Sequence, residues 1–154
     1  MRRMHAAILA TLTTAALGLH AGGAAARRAD EAAIRQTIQY YFDGGRNADS
    51  LTLRKAFHPE ARMLFAREGR LAVVPIAEYI TRVGGGKPAA VSTDSATRRV
   101  ASVDIAGDAA LAKLEIQHPQ ALITDYMSLL KVDGRWLIVN KIFSRAASPA
   151  RATK

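Results

Sequence analysis

The sequence predicts an α+β domain in which three N-terminal helices pack on a curved, mostly antiparallel sheet. Apolar residues recur at three- and four-residue spacing in the first half of the chain and at two-residue spacing in the second half. The second half also carries Asp133-Gly134, a strong hairpin signal, between two apolar segments. Because a one-sided antiparallel sheet must bury its apolar face, the early helices are expected to cover it.

The first helix is defined by its apolar face. Ile34, Ile38 and Tyr41 lie three or four residues apart, so they share one side of the helix. Neighbouring residues cannot share a side, and Tyr41 rather than Tyr40 is therefore expected to point inward. Gly44-Gly45 is expected to end the helix, since glycine adopts the left-handed cap conformation without steric cost.

Two shorter helices are expected next. Asp49 or Ser50 can cap the second helix, and Pro59 is expected to stop it. Pro75 suits the first turn of a third helix, which is predicted to reach about Val83 before a run of glycines.

Five strands complete the predicted order α-α-β-α-β-β-β-β. The first strand precedes the third helix and the other four follow it, and Glu68-Gly69-Arg70 reads as a turn after the first strand. The predicted strands cover residues 61–66, 98–105, 110–118, 122–132 and 136–143.

The amino terminus is interpreted as a secretory signal peptide. Arg2 and Arg3 precede an uncharged, mostly apolar run, and small residues then fit cleavage between Ala26 and Arg27, with cleavage after Ala21 or Gly23 as close alternatives. The apolar run has about fourteen residues, fewer than the roughly twenty that a bilayer span needs. A retained membrane anchor is the alternative interpretation.

The domain organisation follows from this signal. We expect residues 1–26 to be removed by a Sec-type route, which leaves a periplasmic or secreted protein without a membrane span. Residues 27–146 then form the folded domain, and residues 147–154 are expected to be a flexible basic tail.

Composition narrows the function classes. The chain has 154 residues, 49% of them apolar and none of them cysteine, so disulfides and thiolate metal sites are excluded. The net charge is +9, but the basic residues are scattered and no aromatic RNA-binding motif occurs, so we expect no nucleic-acid partner. Two of the four histidines lie in the signal peptide and the others show no ligand spacing, so neither a metal nor a cofactor is expected.

Four stretches carry a resemblance to a known family. They are Tyr41-Phe-Asp-Gly-Gly, Ala56-Phe-His-Pro-Glu-Ala, Val103-Asp-Ile-Ala-Gly-Asp-Ala-Ala and the long segment from Thr124 to Phe143. Together they resemble the putative lumazine-binding family of the nuclear transport factor 2-like superfamily, over about residues 29–144. The resemblance implies a cone, in which a strongly curved sheet wraps around a pocket that the helices close. It also implies dimerisation through the sheet.

Ketosteroid isomerase belongs to the same superfamily, so its catalytic residues can be compared with the matching positions of this chain. That enzyme uses an aspartate base and an oxyanion hole made by a tyrosine and a protonated aspartate. By this likeness Tyr41 matches the tyrosine of that enzyme. Either Asp125 or Tyr126 then matches its protonated aspartate. The base position falls near Phe65, where Met63 and the other neighbours are apolar too. Proton abstraction of that type is therefore not expected.

His58 and Asp125 are the candidate catalytic residues. A histidine is suited to general-base chemistry or ligand contact, but the structural role is favoured for His58, which can cap the second helix or bond to a backbone carbonyl. Asp125 and Tyr126 are strand neighbours, so only one of them faces the pocket, and the same holds for Asn140 and Lys141. The pocket could thus hold Tyr126 with Lys141, or Asp125 with Asn140. An Asp125–Lys141 pair on the outer face is a further alternative, because an unpaired charge in the interior is costly.

The sequence therefore predicts an exported protein that binds a small, partly apolar molecule. An isomerase or dehydratase type of enzyme, and a sheet-mediated interaction or dimerisation module, are the alternatives. The expected ligand contacts are Tyr41, His58, Met63, Phe65, Tyr79, Tyr126, Asn140 and Lys141.

Overall fold

The structure, a computed structural model, describes residues 15–86 and 95–148. Its three helices are α1 (Ala15–Asn47), α2 (Ser50–Ala56) and α3 (Ile76–Gly84). Its six strands are β1 (Phe57–Arg67), β2 (Arg70–Pro75), β3 (Thr97–Ala106), β4 (Ala109–His118), β5 (Ala121–Val132) and β6 (Arg135–Ala147).

The six strands form one sheet in the order β2-β1-β6-β5-β4-β3. All neighbours are antiparallel except β1 and β6, which run parallel, so the predicted α+β class is confirmed. The helices cover one side of this sheet, the covered face, where Leu114, Met127 and Ile138 are buried in the core. On the other side, the open face, Leu111 and Tyr126 are exposed.

Helix α1 does not end at the glycine pair but continues to Asn47, and Ala48 takes the left-handed conformation with φ 52°. Gly44 has a packing role instead. A Cβ atom at Gly44 would lie 2.7 Å from Leu53 Cγ, closer than real carbon contacts allow. The missing side chain therefore lets α2 approach α1, whereas a Cβ at Gly45 would meet nothing within 4 Å.

Strand β2 was not predicted from the sequence. It forms because Glu68 and Gly69, with φ 51° and 74°, make a tight turn of the type that closes two-residue hairpins. The turn folds the chain back onto β1, where Arg67 pairs with Arg70 and Met63 with Val74. Because β2 lies at the sheet edge and Leu71 is 71% exposed, its side chains give little sign of burial.

The two ends of the domain also differ from expectation. The predicted tail begins at residue 147, but Ala147 belongs to β6 and the Ser148 N–H donates to the Gln120 carbonyl oxygen at 3.1 Å. Residues 149–154 of that tail and residues 1–14 of the predicted signal lie outside the described residues.

Helix α1 starts before the predicted cleavage point and crosses it without interruption. Residues 23–29 are all exposed. The next residue, Asp30, is tied to the sheet, since its carboxylate accepts hydrogen bonds from Lys131 Nζ at 2.8 Å and Trp136 Nε1 at 2.9 Å. None of the described helices is long and apolar enough to cross a membrane.

Replacing each of the two neighbouring glycines of α1 with alanine should change the free energy of unfolding in opposite directions. Gly44→Ala is expected to lower the free energy of unfolding by about 1–3 kcal/mol, because its methyl group collides with Leu53. Gly45→Ala should raise it by up to about 1 kcal/mol, because alanine favours an open helical position. Urea unfolding of the two variants checks this, and equal effects would contradict the packing role of Gly44.

Candidate functional site

A one-residue shift in strand pairing decides which side chains of β6 reach the covered face. Leu129 pairs with Ile138, but the preceding residue Ser128 pairs with Asn140, so Val139 is an extra residue in β6. Such a bulge reverses the inside-outside alternation beyond it. Ile138 is fully buried, and the next residue turned toward the helices is Lys141 rather than Asn140.

Lys141 meets Asp125 and Tyr41 under the helices, in a group that we call the polar cluster. Lys141 Nζ donates to the Tyr41 hydroxyl at 2.6 Å, and that hydroxyl donates to Asp125 Oδ2 at 2.8 Å. Lys141 Nζ lies 2.9 Å from Asp125 Oδ1, an ion-pair distance, yet Oδ1 accepts no hydrogen bond of good geometry. All three residues are buried, with exposed fractions of 4% for Tyr41, 0% for Asp125 and 5% for Lys141.

Aromatic rings surround the lysine end of the cluster. Lys141 Nζ lies 4.8 Å from the ring centre of Tyr41, 5.1 Å from that of Phe143 and 5.8 Å from that of Tyr79. A cation is attracted to the faces of such rings. Phe143 also stacks on Phe65 with ring centres 4.9 Å apart. The cluster is therefore a small polar group inside an aromatic enclosure.

Burial dominates the protonation of these groups. It raises the pKa of Tyr41 well above its usual range, an effect that the nearby Tyr79 and Asp125 reinforce. Burial also raises the pKa of Tyr79 to about 12. It lowers the pKa of Lys141, although Asp125 acts in the opposite direction. The two tyrosines therefore remain phenols at neutral pH, and the Tyr41 hydroxyl donates its proton to Asp125 Oδ2.

The structure separates the predicted ligand contacts into two groups. Tyr41, Tyr79, Lys141 and Met63 lie on the covered face, where Met63 pairs with Lys141 across the parallel strands. Phe65 lies beside them through its contact with Phe143.

Tyr126 and Asn140 lie instead on the open face. They border a groove of about 420 Å³ there, on the far side of the sheet from Asp125 and Lys141. Both expected pocket pairs, Tyr126 with Lys141 and Asp125 with Asn140, are therefore wrong. The Asp125–Lys141 pair exists, but on the covered face rather than the outer one.

His58 stands apart from the polar cluster. It lies at the start of β1, is partly exposed, and its Nδ1 accepts a hydrogen bond from the Glu60 N–H at 3.1 Å. This contact fits the backbone role for His58 rather than a role beside Asp125.

Phe143 was missed by the sequence analysis. Its position opposite Asp125 on the neighbouring strand follows from the shifted register, which the sequence pattern did not reveal.

The polar cluster should behave as one energetic unit. Lys141→Met leaves the Asp125 carboxylate buried without a cation and is expected to cost about 3–5 kcal/mol of unfolding free energy. The triple variant Tyr41→Phe/Asp125→Leu/Lys141→Met replaces the whole cluster with apolar groups and should fall within about 1 kcal/mol of the wild type, or above it. Urea unfolding measures both, and a triple variant less stable than Lys141→Met would refute the idea.

Alkaline pH should destabilise the fold through Tyr79. Because its pKa rises from 10.0 to about 12 on folding, its contribution is complete below pH 10 and is lost as pH rises through 12. The loss is about 2–3 kcal/mol for this group. Tyr79→Phe should make the unfolding free energy fall less steeply between these pH values. If Tyr79→Phe left the pH dependence of the unfolding free energy unchanged, the raised pKa of Tyr79 would be contradicted.

Comparisons with known proteins agree with this fold. An NTF2-like protein of unknown function from Shewanella baltica is 30% identical, with a TM-score of 0.69 over 77% of this chain and 95% of that one. One from Methylobacillus flagellatus is 28% identical, with a TM-score of 0.66 over 77% and 93% of the two chains. A search of curated protein sequences finds no significant match. The family model described as putative lumazine-binding matches residues 29–144, and the chain therefore belongs to the putative lumazine-binding family, with an NTF2-like fold.

Proposed function

We propose that this protein is exported and binds a small, partly apolar molecule on the covered face, beside Lys141, Tyr41 and Tyr79. The observation that carries the proposal is the polar cluster itself. It places a fully buried carboxylate and an almost fully buried ammonium group among aromatic rings. A few convergent polar groups within an apolar lining are typical of small-molecule sites.

The cluster is costly for folding, which supports a functional role. Burying two charges in a protein interior costs several kcal/mol per ion, and apolar residues of similar size are often equally stable or better. Asp125 Oδ1 accepts no well-formed hydrogen bond from the residues that the structure describes. A ligand N–H or O–H could satisfy this oxygen, and the Tyr79 hydroxyl offers a further polar group nearby.

The acid–base enzyme is the less well supported alternative. His58 bonds to the backbone of Glu60, and Asp125 is held by Tyr41 and Lys141. Phe65, at the position of the isomerase base, contributes a ring to the aromatic enclosure. These contacts favour binding over proton abstraction from a substrate carbon.

Export rests on the signal-like residues 1–26 and is compatible with the packing of α1. Residues 23–29 are all exposed, whereas Asp30 bonds to Lys131 of the sheet. Cleavage after Ala26 would leave Asp30 within the first turn of the new helix. An acidic residue is favoured there by the helix dipole.

The open face supports a second role in homodimerisation. Leu111 is 61% exposed, and Tyr126, Leu130 and Ile142 are each more than 40% exposed on this side of the sheet. A second copy of the chain covering this apolar surface would remove it from water.

Native mass spectrometry of protein recovered from its own periplasm tests the proposal. We expect the mass of a chain whose first residue is Arg27, with a small molecule bound to it. The triple apolar variant of the polar cluster should lose this molecule, whereas Tyr126→Ala on the open face should retain it. Under the same conditions a dimer mass supports the second role.

Three outcomes would contradict parts of the proposal. A wild-type spectrum with only the ligand-free mass argues against a bound molecule. Loss of the molecule from Tyr126→Ala, with retention by the triple variant, moves the site to the open face. A protein mass that includes residues 1–26 argues against cleavage of the signal.

A further inference from the structure

The amine of Lys141 has the surroundings that carbonyl chemistry requires. Its side chain is 6% exposed, so the amine is almost stripped of water. Tyr41 Oη accepts a hydrogen bond from Nζ at 2.6 Å and donates one to Asp125 Oδ2, while Asp125 Oδ1 lies at an ion-pair distance of 2.9 Å from Nζ. A desolvated lysine beside such groups is a nucleophile toward carbonyl carbon.

We propose that Lys141 captures a ligand that carries an aldehyde or ketone group, by forming a reversible imine with it. This inference rests on the proposed function and specifies the chemical class of the ligand.

The reaction balances with the groups of the polar cluster. The Lys141 ammonium passes one proton to Asp125, and the amine then forms a C–N bond to the carbonyl carbon as the C=O π bond breaks. The carbonyl oxygen takes a second proton from nitrogen and becomes a hydroxyl group. Asp125 returns its proton to this hydroxyl, the C–O bond breaks and water leaves. The product is an iminium cation beside the Asp125 carboxylate, so the net charge stays the same.

The neighbouring tyrosines have distinct parts in this scheme. Tyr41 donates to Asp125 and accepts from Lys141, so its hydroxyl links the two groups between which the proton moves. Burial keeps both Tyr41 and Tyr79 protonated, and Tyr79 can donate a hydrogen bond to the carbonyl oxygen. Tyr79 and Phe143 are only partly buried, so the enclosure is closest to solvent on their side.

Reductive trapping tests the inference. The purified protein is incubated with benzaldehyde or cyclohexanone and sodium cyanoborohydride at neutral pH, and the modified lysines are located by peptide mass spectrometry. We expect Lys141 to be modified at least about tenfold faster than the exposed Lys55. Tyr41→Phe should slow modification of Lys141 and leave that of Lys55 unchanged, which a purely structural tyrosine would not do.

Modification of Lys141 no faster than Lys55 in the folded wild type would overturn the inference. Native mass spectrometry of the periplasmic protein distinguishes failure of the imine inference from failure of the proposed function. If it retains a bound small molecule while Lys141 resists trapping, the binding site stands and the imine does not. If it carries no bound molecule and Lys141 also resists trapping, both proposals fail.

Discussion

The organisation of the covered face depends on the one-residue shift in pairing between β5 and β6. Without the extra residue at Val139, alternation would place Asn140 under the helices and Lys141 on the open face. The shift instead joins Lys141 to Asp125 and Tyr41, and it brings Phe143 opposite Asp125. A backbone irregularity thus determines which chemistry the interior of the domain contains.

The polar cluster also determines how the helices sit on the sheet. Tyr41 belongs to α1, Asp125 to β5 and Lys141 to β6, so hydrogen bonds link a helix to two strands through a single hydroxyl group. A second link, from Thr37 Oγ1 to the Trp136 carbonyl oxygen at 2.7 Å, holds α1 one turn earlier. Between these links Ile38 of α1 is fully buried in the apolar core. Stability and any binding activity are therefore coupled at the cluster, where natural proteins often give up stability for function.

The sequence predicted those features that depend on local patterns. The apolar spacing of α1 placed Tyr41 inward, and Asp133-Gly134 located the hairpin of β5 and β6, whose turn residues have positive φ. Features that depend on contacts between distant residues were missed. The packing role of Gly44 depends on its contact with Leu53, and β2 depends on pairing with β1.

The candidate site was harder to predict for the same reason. Alternation along one strand leaves two choices of face, and only the register with the neighbouring strands selects one. A bulge then changes that choice part of the way along β6. Asp125 and Lys141 were recognised as a pair, but their location could not be obtained from either segment alone.

The parallel pairing of β1 with β6 has a consequence for the time at which the domain can fold. Strand β6 is the last strand in chain order, yet it lies between β1 and β5 in the middle of the sheet. The hairpin of β1 and β2 therefore has no sheet to join until β6 leaves the ribosome, and such long-range pairing is slow to form. A nascent chain of this topology stays incomplete during synthesis, and under the proposed export this would leave it unfolded when it reaches a translocation channel.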